Sequence, residues 1–305
     1  MKLVKLLLAI VLAAGVAAGE TAQQLAESGR CREALPLLKA DLAKTTDPAA
    51  RKRLGLDGVR CGMALNDMEA TIDFLRGLNR RFPDDPEVLY LAVHVFSDLS
   101  VRASQRLMYV DPTSYQVHEL NAEALETQGK WSQAEAEYHE VLKKDPQLPG
   151  IHYRIGRLLL SAPPTPTSKA EARREFEAEL KVDPHNAGAE YVLGELARQD
   201  GQDAAAIAHF SRATKLDAGF ADAFIGLGRS LLAANRASDA VAPLETAVKL
   251  DPASPMAHFE LATAYIRTGH KEEAAREFAA QKQANENLRK TDQRVREGIA
   301  GAPPH

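Results

Sequence analysis

The feature that most constrains this chain is a recurrence of small and large residues with a period near 34. Ala134, Ala172, Ala206, Ala240 and Ala274 follow one another at intervals of 38, 34, 34 and 34 residues. Four places after each alanine stands a large apolar residue: Tyr138, Phe176, Phe210, Leu244 and Phe278. Eight places further come Pro146, Pro184 and Pro252, with Ala218 in the third copy. Upstream of each alanine, Ala122, Gly156, Gly194, Gly228 and Ala262 recur in register. Glycine inside a helix costs about 1 kcal/mol relative to alanine, so its return at one position implies two helices crossing closely there. Proline after the second helix stops it, because it lacks an amide hydrogen and clashes with the preceding turn. A chain with such a period is a stack of repeated units, each burying its apolar face against the next.

These residues resemble the tetratricopeptide repeat, whose pattern is W-x2-L-G-x2-Y, then A-x3-F, then P. Phe224, Leu227, Gly228, Leu231, Ala240, Leu244 and Pro252 fit it best. Glu190, Leu193, Gly194, Ala197, Ala206 and Phe210 follow, then His152, Ile155, Gly156, Leu159, Ala172, Phe176 and Pro184. The resemblance implies an all-α fold, a right-handed superhelical solenoid of helix-turn-helix repeats. Five repeats are expected at 115–148, 149–186, 187–220, 221–254 and 255–288, the second lengthened around Pro163-Pro164-Thr165-Pro166. Residues 20–114 are expected to hold degenerate repeats. Gly58, Ala70, Phe74 and Pro83 mark one unit, and Gly29, Ala34 and Leu38 mark part of an earlier one. Pro86 to Pro112 is too short for a full unit and predicts a compressed helix pair. After Phe278 the helix continues with few apolar residues, giving a polar capping end and short tail over 289–305.

Residues 1–19 read as a secretory signal: Lys2 and Lys5 precede an apolar stretch from Leu6 to Ala18. Val16-Ala17-Ala18 or Ala17-Ala18-Gly19 supplies the small residues that signal peptidase needs. The stretch is shorter than the roughly 20 residues of a spanning helix. No cysteine stands directly after it, which argues against lipoprotein processing. The expected product is exported, periplasmic or secreted, with cleavage near Ala18 or Gly19; an uncleaved anchor is the alternative. The remaining chain carries 36 basic and 42 acidic side chains and no second apolar run of spanning length. Without a basic stripe to displace counterions from phosphates, nucleic acid is not an expected partner.

Two cysteines in an exported chain, Cys31 and Cys61, favour a disulfide. Closing a loop of that length is worth roughly 3 kcal/mol; two separate buried thiols are the alternative. His118, His152 and His258 share one repeat position. A metal site between neighbouring units is one reading of them, and a ring filling the helix contact with one nitrogen bonded is the stronger one. No metal and no cofactor are therefore expected. No Gly-rich phosphate loop, G-x-S-x-G elbow or H-x-E…CxxC pattern occurs, so no catalytic residue is assigned and the chain reads as non-enzymatic.

The resemblance also implies where a partner binds, because the first helix of each unit lines a concave groove. The groove positions read Gln116, Glu119, Glu123; Gly150, Tyr153, Arg157; Gly188, Tyr191, Glu195; Asp222, Ile225, Arg229; and Met256, Phe259, Thr263. Tyr153, Arg157, Tyr191, Glu195, Ile225, Arg229, Phe259 and Thr263 are the candidate contacts for a protein or peptide. The alternative is that some of these rings cover the core. Where some family members hold a carboxylate with Lys and Asn, this chain has Tyr153 with Arg157 and Tyr191 with Glu195. The function expected is a scaffold that holds a peptide or protein segment in its groove, in assembly or trafficking of an envelope or secreted complex. Self-association is the alternative, which leaves a homo-oligomer open, and an unrecognised enzyme is a third reading.

Overall fold

The computed structural model describes residues 20–300, with side chains through residue 297. The signal read at residues 1–19 lies outside the described residues. The described residues form fifteen α-helices and no strand, and their contacts divide them into two units between Val110 and Asp111. The first unit holds α1 (Ala22–Glu27), α2 (Cys31–Lys44), α3 (Pro48–Ala64), α4 (Met68–Arg81) and α5 (Pro86–Val110). The second holds five pairs. These are α6 (Tyr115–Thr127) with α7 (Trp131–Lys144), α8 (Ile151–Ser161) with α9 (Ser168–Val182), and α10 (Ala187–Gln199) with α11 (Asp203–Leu216). α12 (Ala221–Ala233) with α13 (Ala237–Leu250) and α14 (Pro255–Thr268) with α15 (Lys271–Ala300) complete them. Among the described residues no helix is long and apolar enough to cross a membrane.

Local chemistry starts, stops and turns these helices. Asp47, Asp67, Ser114, Asn186 and Ser254 cap α3, α4, α6, α10 and α14, each side chain accepting from a backbone N–H three residues on. The turn inside six of the seven pairs contains one residue with positive φ: Gly29, Asn66, Gly129, Gly201, Asn235 or Gly269. Gly and Asn tolerate that conformation where other residues are strained. The exception is the α8–α9 pair, where the Pro163–Pro166 insertion replaces the tight turn.

The glycines mark the close crossings. A Cβ on Gly156 would lie 2.8 Å from Phe176, one on Gly194 2.8 Å from Phe210, and one on Gly228 2.3 Å from Leu244. Each of those large side chains is fully buried. Phe210 also lies against Gly226 of the next unit, where a Cβ would approach within 2.5 Å. One ring therefore joins α10, α11 and α12.

Several polar groups buried between the helices are matched, although Ser230 Oγ in α12 has no hydrogen-bond partner among the described residues. Glu179, fully buried in α9, accepts hydrogen bonds from the Gly150 and Tyr153 amides at 2.8 and 3.2 Å and from Asn186 Nδ2 at 3.1 Å. It thereby caps α8, whose own N-cap residue, Gly150, has no side chain to do so. The histidines that share a repeat position each meet a glutamate on the paired helix. His118 Nδ1 lies 2.7 Å from Glu137, His152 Nδ1 2.7 Å from Glu175, and His258 Nδ1 2.6 Å from Glu277. In the α10–α11 pair the two residues are exchanged, Glu190 standing on the first helix and His209 on the second, 2.7 Å apart. The α12–α13 pair has Phe224 and Pro243 at these places.

Three features of the first unit and the C-terminal end complete the fold. Cys31, the first residue of α2, is bonded to Cys61 in the last turn of α3, with Cα atoms 4.9 Å apart. The compressed helix pair expected between Pro86 and Pro112 is instead one helix, α5. No Gly or Pro interrupts residues 87–111, so nothing in that stretch turns the chain. At the C-terminal end, α15 continues beyond Ala284, its last buried residue, and residues 285–297 are exposed.

Replacing Gly228 by alanine is expected to destabilise the chain by about 1–3 kcal/mol through overpacking against Leu244. A Cβ at the exposed Gly77 in α4 meets nothing within 4 Å. Gly77→Ala is therefore expected to stabilise by about 0.5–1 kcal/mol. Urea denaturation of both variants beside the parent measures the contrast. Reducing Cys31–Cys61 is expected to remove about 3 kcal/mol from the first unit, seen as a lower unfolding midpoint in dithiothreitol.

Candidate functional site

Within the second unit α10 packs directly on α12, and α12 on α14, in addition to the second helices that separate them in sequence. The first helices α10, α12 and α14 therefore lie side by side along one face, the inner face. The second, fifth and ninth residues of each repeat stand along its first helix in differing degrees of burial.

Two arginines lace the inner face together across units. Arg154 of α8 reaches Glu123 of α6 at 2.6 Å and Glu119 at 3.5 Å. Arg229 of α12 reaches Glu260 of α14 at 3.1 Å. Both link the ninth residue of one repeat to the sixth of the next. That rule fails at the two other junctions. Val192 stands where Arg157 would find a carboxylate, and Gly226 stands opposite Glu195. Glu195 pairs instead with Arg198 on its own helix at 2.7 Å. Arg157 is exposed and has no ion partner among the described residues.

The aromatic candidates divide into two kinds. Tyr153 is half-buried, edge-on to Phe176 with ring centroids 5.5 Å apart, and its hydroxyl lies over Gly188, where a Cβ would sit 3.0 Å away. Tyr191 is likewise half-buried, 4.8 Å from the Phe220 ring and 5.8 Å from that of Phe210. Both rings therefore pack on core rings and are partly withdrawn from solvent. Ile225 leaves the candidate set, because it is 7% exposed and packs with Ala247 and Ala257. Phe259, by contrast, is 42% exposed at the end of the face, 6.3 Å from the Phe278 ring. Beside it Thr263 Oγ1 donates to the Phe259 carbonyl at 2.9 Å.

Arg154, Arg198 and Glu260 were not singled out by the groove positions of the repeat, which omit the sixth and twelfth residues. For Arg198 the signal is the i,i+3 spacing from Glu195; for Arg154 and Glu260 it is opposite charge at the ninth residue of one repeat and the sixth of the next, legible only once the repeats are aligned. The Glu190–His209 exchange is of the same kind.

The face is electrostatically tuned. Burial raises the Tyr191 hydroxyl above its ordinary range, aided by the charges of Glu195 and Asp222 and opposed by Arg198 and Arg229. Burial also raises Glu260, against the pull of Arg229, Arg198 and Arg267. Arg267 is itself anchored to the Leu232 carbonyl at 2.7 Å. Among the described residues no three His, Cys, Asp or Glu side chains converge as a metal would require.

A family model described as tetratricopeptide repeat matches residues 120–163, 168–219 and 225–287. Among solved structures, one of MamA is 24% identical and covers 55% of this chain and 96% of that chain, with a TM-score of 0.50. A MamA structure from Desulfovibrio magneticus RS-1 is 18% identical over 57% of this chain and 96% of that chain, TM-score 0.50. The structure of YrrB, described as a TPR protein with an unusual peptide-binding site, is 19% identical over 60% of this chain and 92% of that chain, TM-score 0.50. At these identities the likeness shows the fold. No curated protein matches the sequence.

A raised Glu260 means that the folded protein holds that proton more tightly than the unfolded chain does. The resulting stability is complete below the unfolded carboxyl's pKa and is lost as pH rises through the higher folded value. Glu260→Gln is therefore expected to gain stability relative to the parent as pH goes from about 4 to about 7. Urea midpoints measured across that range check the trend.

Proposed function

The chain belongs to the tetratricopeptide repeat family, and from that premise we propose that its second unit is a scaffold holding a peptide or protein segment along the inner face. The observation that carries this reading is Arg157, an exposed guanidinium without a carboxylate partner among the described residues, on a face where two of the four junctions are ion-paired. Phe259, exposed on the same row of first helices, adds an uncovered ring. Arginine and aromatic side chains supply a large share of binding energy at protein interfaces. A segment lying across α8 to α14 meets Arg157 at one end and Phe259 at the other, with Tyr153 and Tyr191 beneath its path. Glu195, Arg229 and Thr263 flank that path and set its polarity. That YrrB is described as having a peptide-binding site supports the same class of ligand.

The proposed location is outside the cytoplasm. Two features support export: the signal-like run of residues 1–19 and the Cys31–Cys61 disulfide, a bond that persists in oxidising compartments. The scaffold would act there in assembly or trafficking of an envelope or secreted complex.

Tyr153 and Tyr191 are poor sites for a test, since each packs on a core ring. Arg157→Glu combined with Phe259→Ala is the sharper variant. A partner recovered with the parent chain from the envelope fraction is expected to bind this variant at least about tenfold more weakly. The melting temperature should change little. Undiminished binding by the double variant would move the site off the inner face.

A further inference from the structure

α5 stands in the register of a first helix, yet no second helix follows it. Pro83, Asp85 and Pro86 align with Pro252, Ser254 and Pro255, which open α14. Asp85 accepts from the Val88 amide as Ser254 accepts from that of Ala257. In this register Val88, Ala92 and Val95 match Ala189, Leu193 and Leu196 of α10, and all six are buried. The next helix in sequence, α6, is already paired with α7.

In complete units a different set of positions meets the unit's own second helix. In the α10–α11 pair these are Glu190 bonded to His209, Gly194 against Phe210, and Ala197 in the cluster with Ala206. On α5 the same positions hold Leu89, Val93 and Phe96, which are 48%, 66% and 58% exposed. Beside them runs an open groove of about 450 Å³, lined by Ile72, Leu75, Arg76, Asn79 and Arg80 of α4 and by Phe96. A helix laid over Leu89, Val93 and Phe96, as a second helix covers its own first helix in complete units, would border this groove with α4 on its other side.

We propose that this groove receives an amphipathic helix from a partner protein, laid antiparallel to α5 as the second helix of an incomplete repeat. Three features define that helix. Leu89, Val93 and Phe96 call for an apolar seam. Val93 stands where every repeat of the second unit has Gly or Ala, so the residue crossing it is small, where complete units place Phe, Leu or Tyr. Arg76 meets only Asp73 of its own helix, at 3.4 Å, and Arg80 has no ion partner among the described residues. The edge of the incoming helix that runs along α4 therefore carries Asp or Glu. This site is separate from the inner face of the second unit, and its test does not depend on that reading.

The full chain is titrated with labelled, lactam-stapled helical peptides and binding is read by fluorescence anisotropy. One peptide has a Leu seam, Ala at the crossing and Glu along one edge; a second replaces Glu by Lys; a third places Phe at the crossing. The first is expected to bind at least about tenfold more tightly than the others. Arg76→Glu with Arg80→Glu should transfer the preference to the Lys peptide. Val93→Glu should abolish binding while leaving the melting temperature unchanged, because the residue lies on bare surface. Absence of binding, equal binding of the three peptides, or binding that survives Val93→Glu overturns the proposal. So does a lower melting temperature in Val93→Glu, which shows the chain itself covering the face. An oligomer of the parent that Val93→Glu dissociates assigns the face to a second copy, and likewise overturns it.

Discussion

The second unit depends on the contact between a residue without a long side chain on each first helix and a large one on its partner. At Gly156, Gly194 and Gly228 there is no room for a Cβ, because Phe176, Phe210 and Leu244 already fill the space. The helices can approach closely only there, and the approach brings the flanking positions into register. The His–Glu pairs, the Glu179 cap of α8 and the inner row of charges all follow from that spacing. Phe210 extends the effect across a junction, since it fills the space before Gly194 and Gly226 together. Units are thus coupled through single side chains, the nearest-neighbour coupling that stabilises repeat arrays.

Much of this was legible from the period alone. The Ala-x3-Phe spacing and the recurring glycines are short-range signals, and they point to the helix pairs of the second unit because each pair repeats them. α5 shows where that reasoning stops. Its length suggested two short helices, but nothing between Glu87 and Asp111 breaks a helix, and local chemistry outranked the arithmetic of the period. On the inner face, Arg157 could be placed by register, whereas its lack of a carboxylate depends on Val192 in the next repeat. Ile225 and the two tyrosines share the register of exposed groove residues, and only their neighbours Ala247, Phe176 and Phe210 reveal how far they are withdrawn. Periodicity reports which face a residue is on and is silent about what already occupies it.

The two units rely on different means of cohesion. The second repeats one crossing with little variation, whereas the first joins α2 to α3 by a covalent bond and ends in a long first helix. A short array has few neighbours to share stability, so a cross-link there offsets what additional repeats would contribute.

The exchanged Glu190 and His209 bear on how a chain of near-identical hairpins finds its own partners. During folding, α10 could dock on α9 or α15 in place of α11, since all three carry Phe at the crossing position: Phe176, Phe278 and Phe210. In those mispaired forms Glu190 would face Glu175 or Glu277, and two carboxylates would share one partly buried place. The reverse error, α11 docking on α8 or α14, sets His209 against His152 or His258 and leaves Glu175 or Glu277 without its ring. Reversing the polarity of one pair thus works as a key among otherwise interchangeable helices, directing α10 to α11 and discouraging exchange between repeats or between nascent chains.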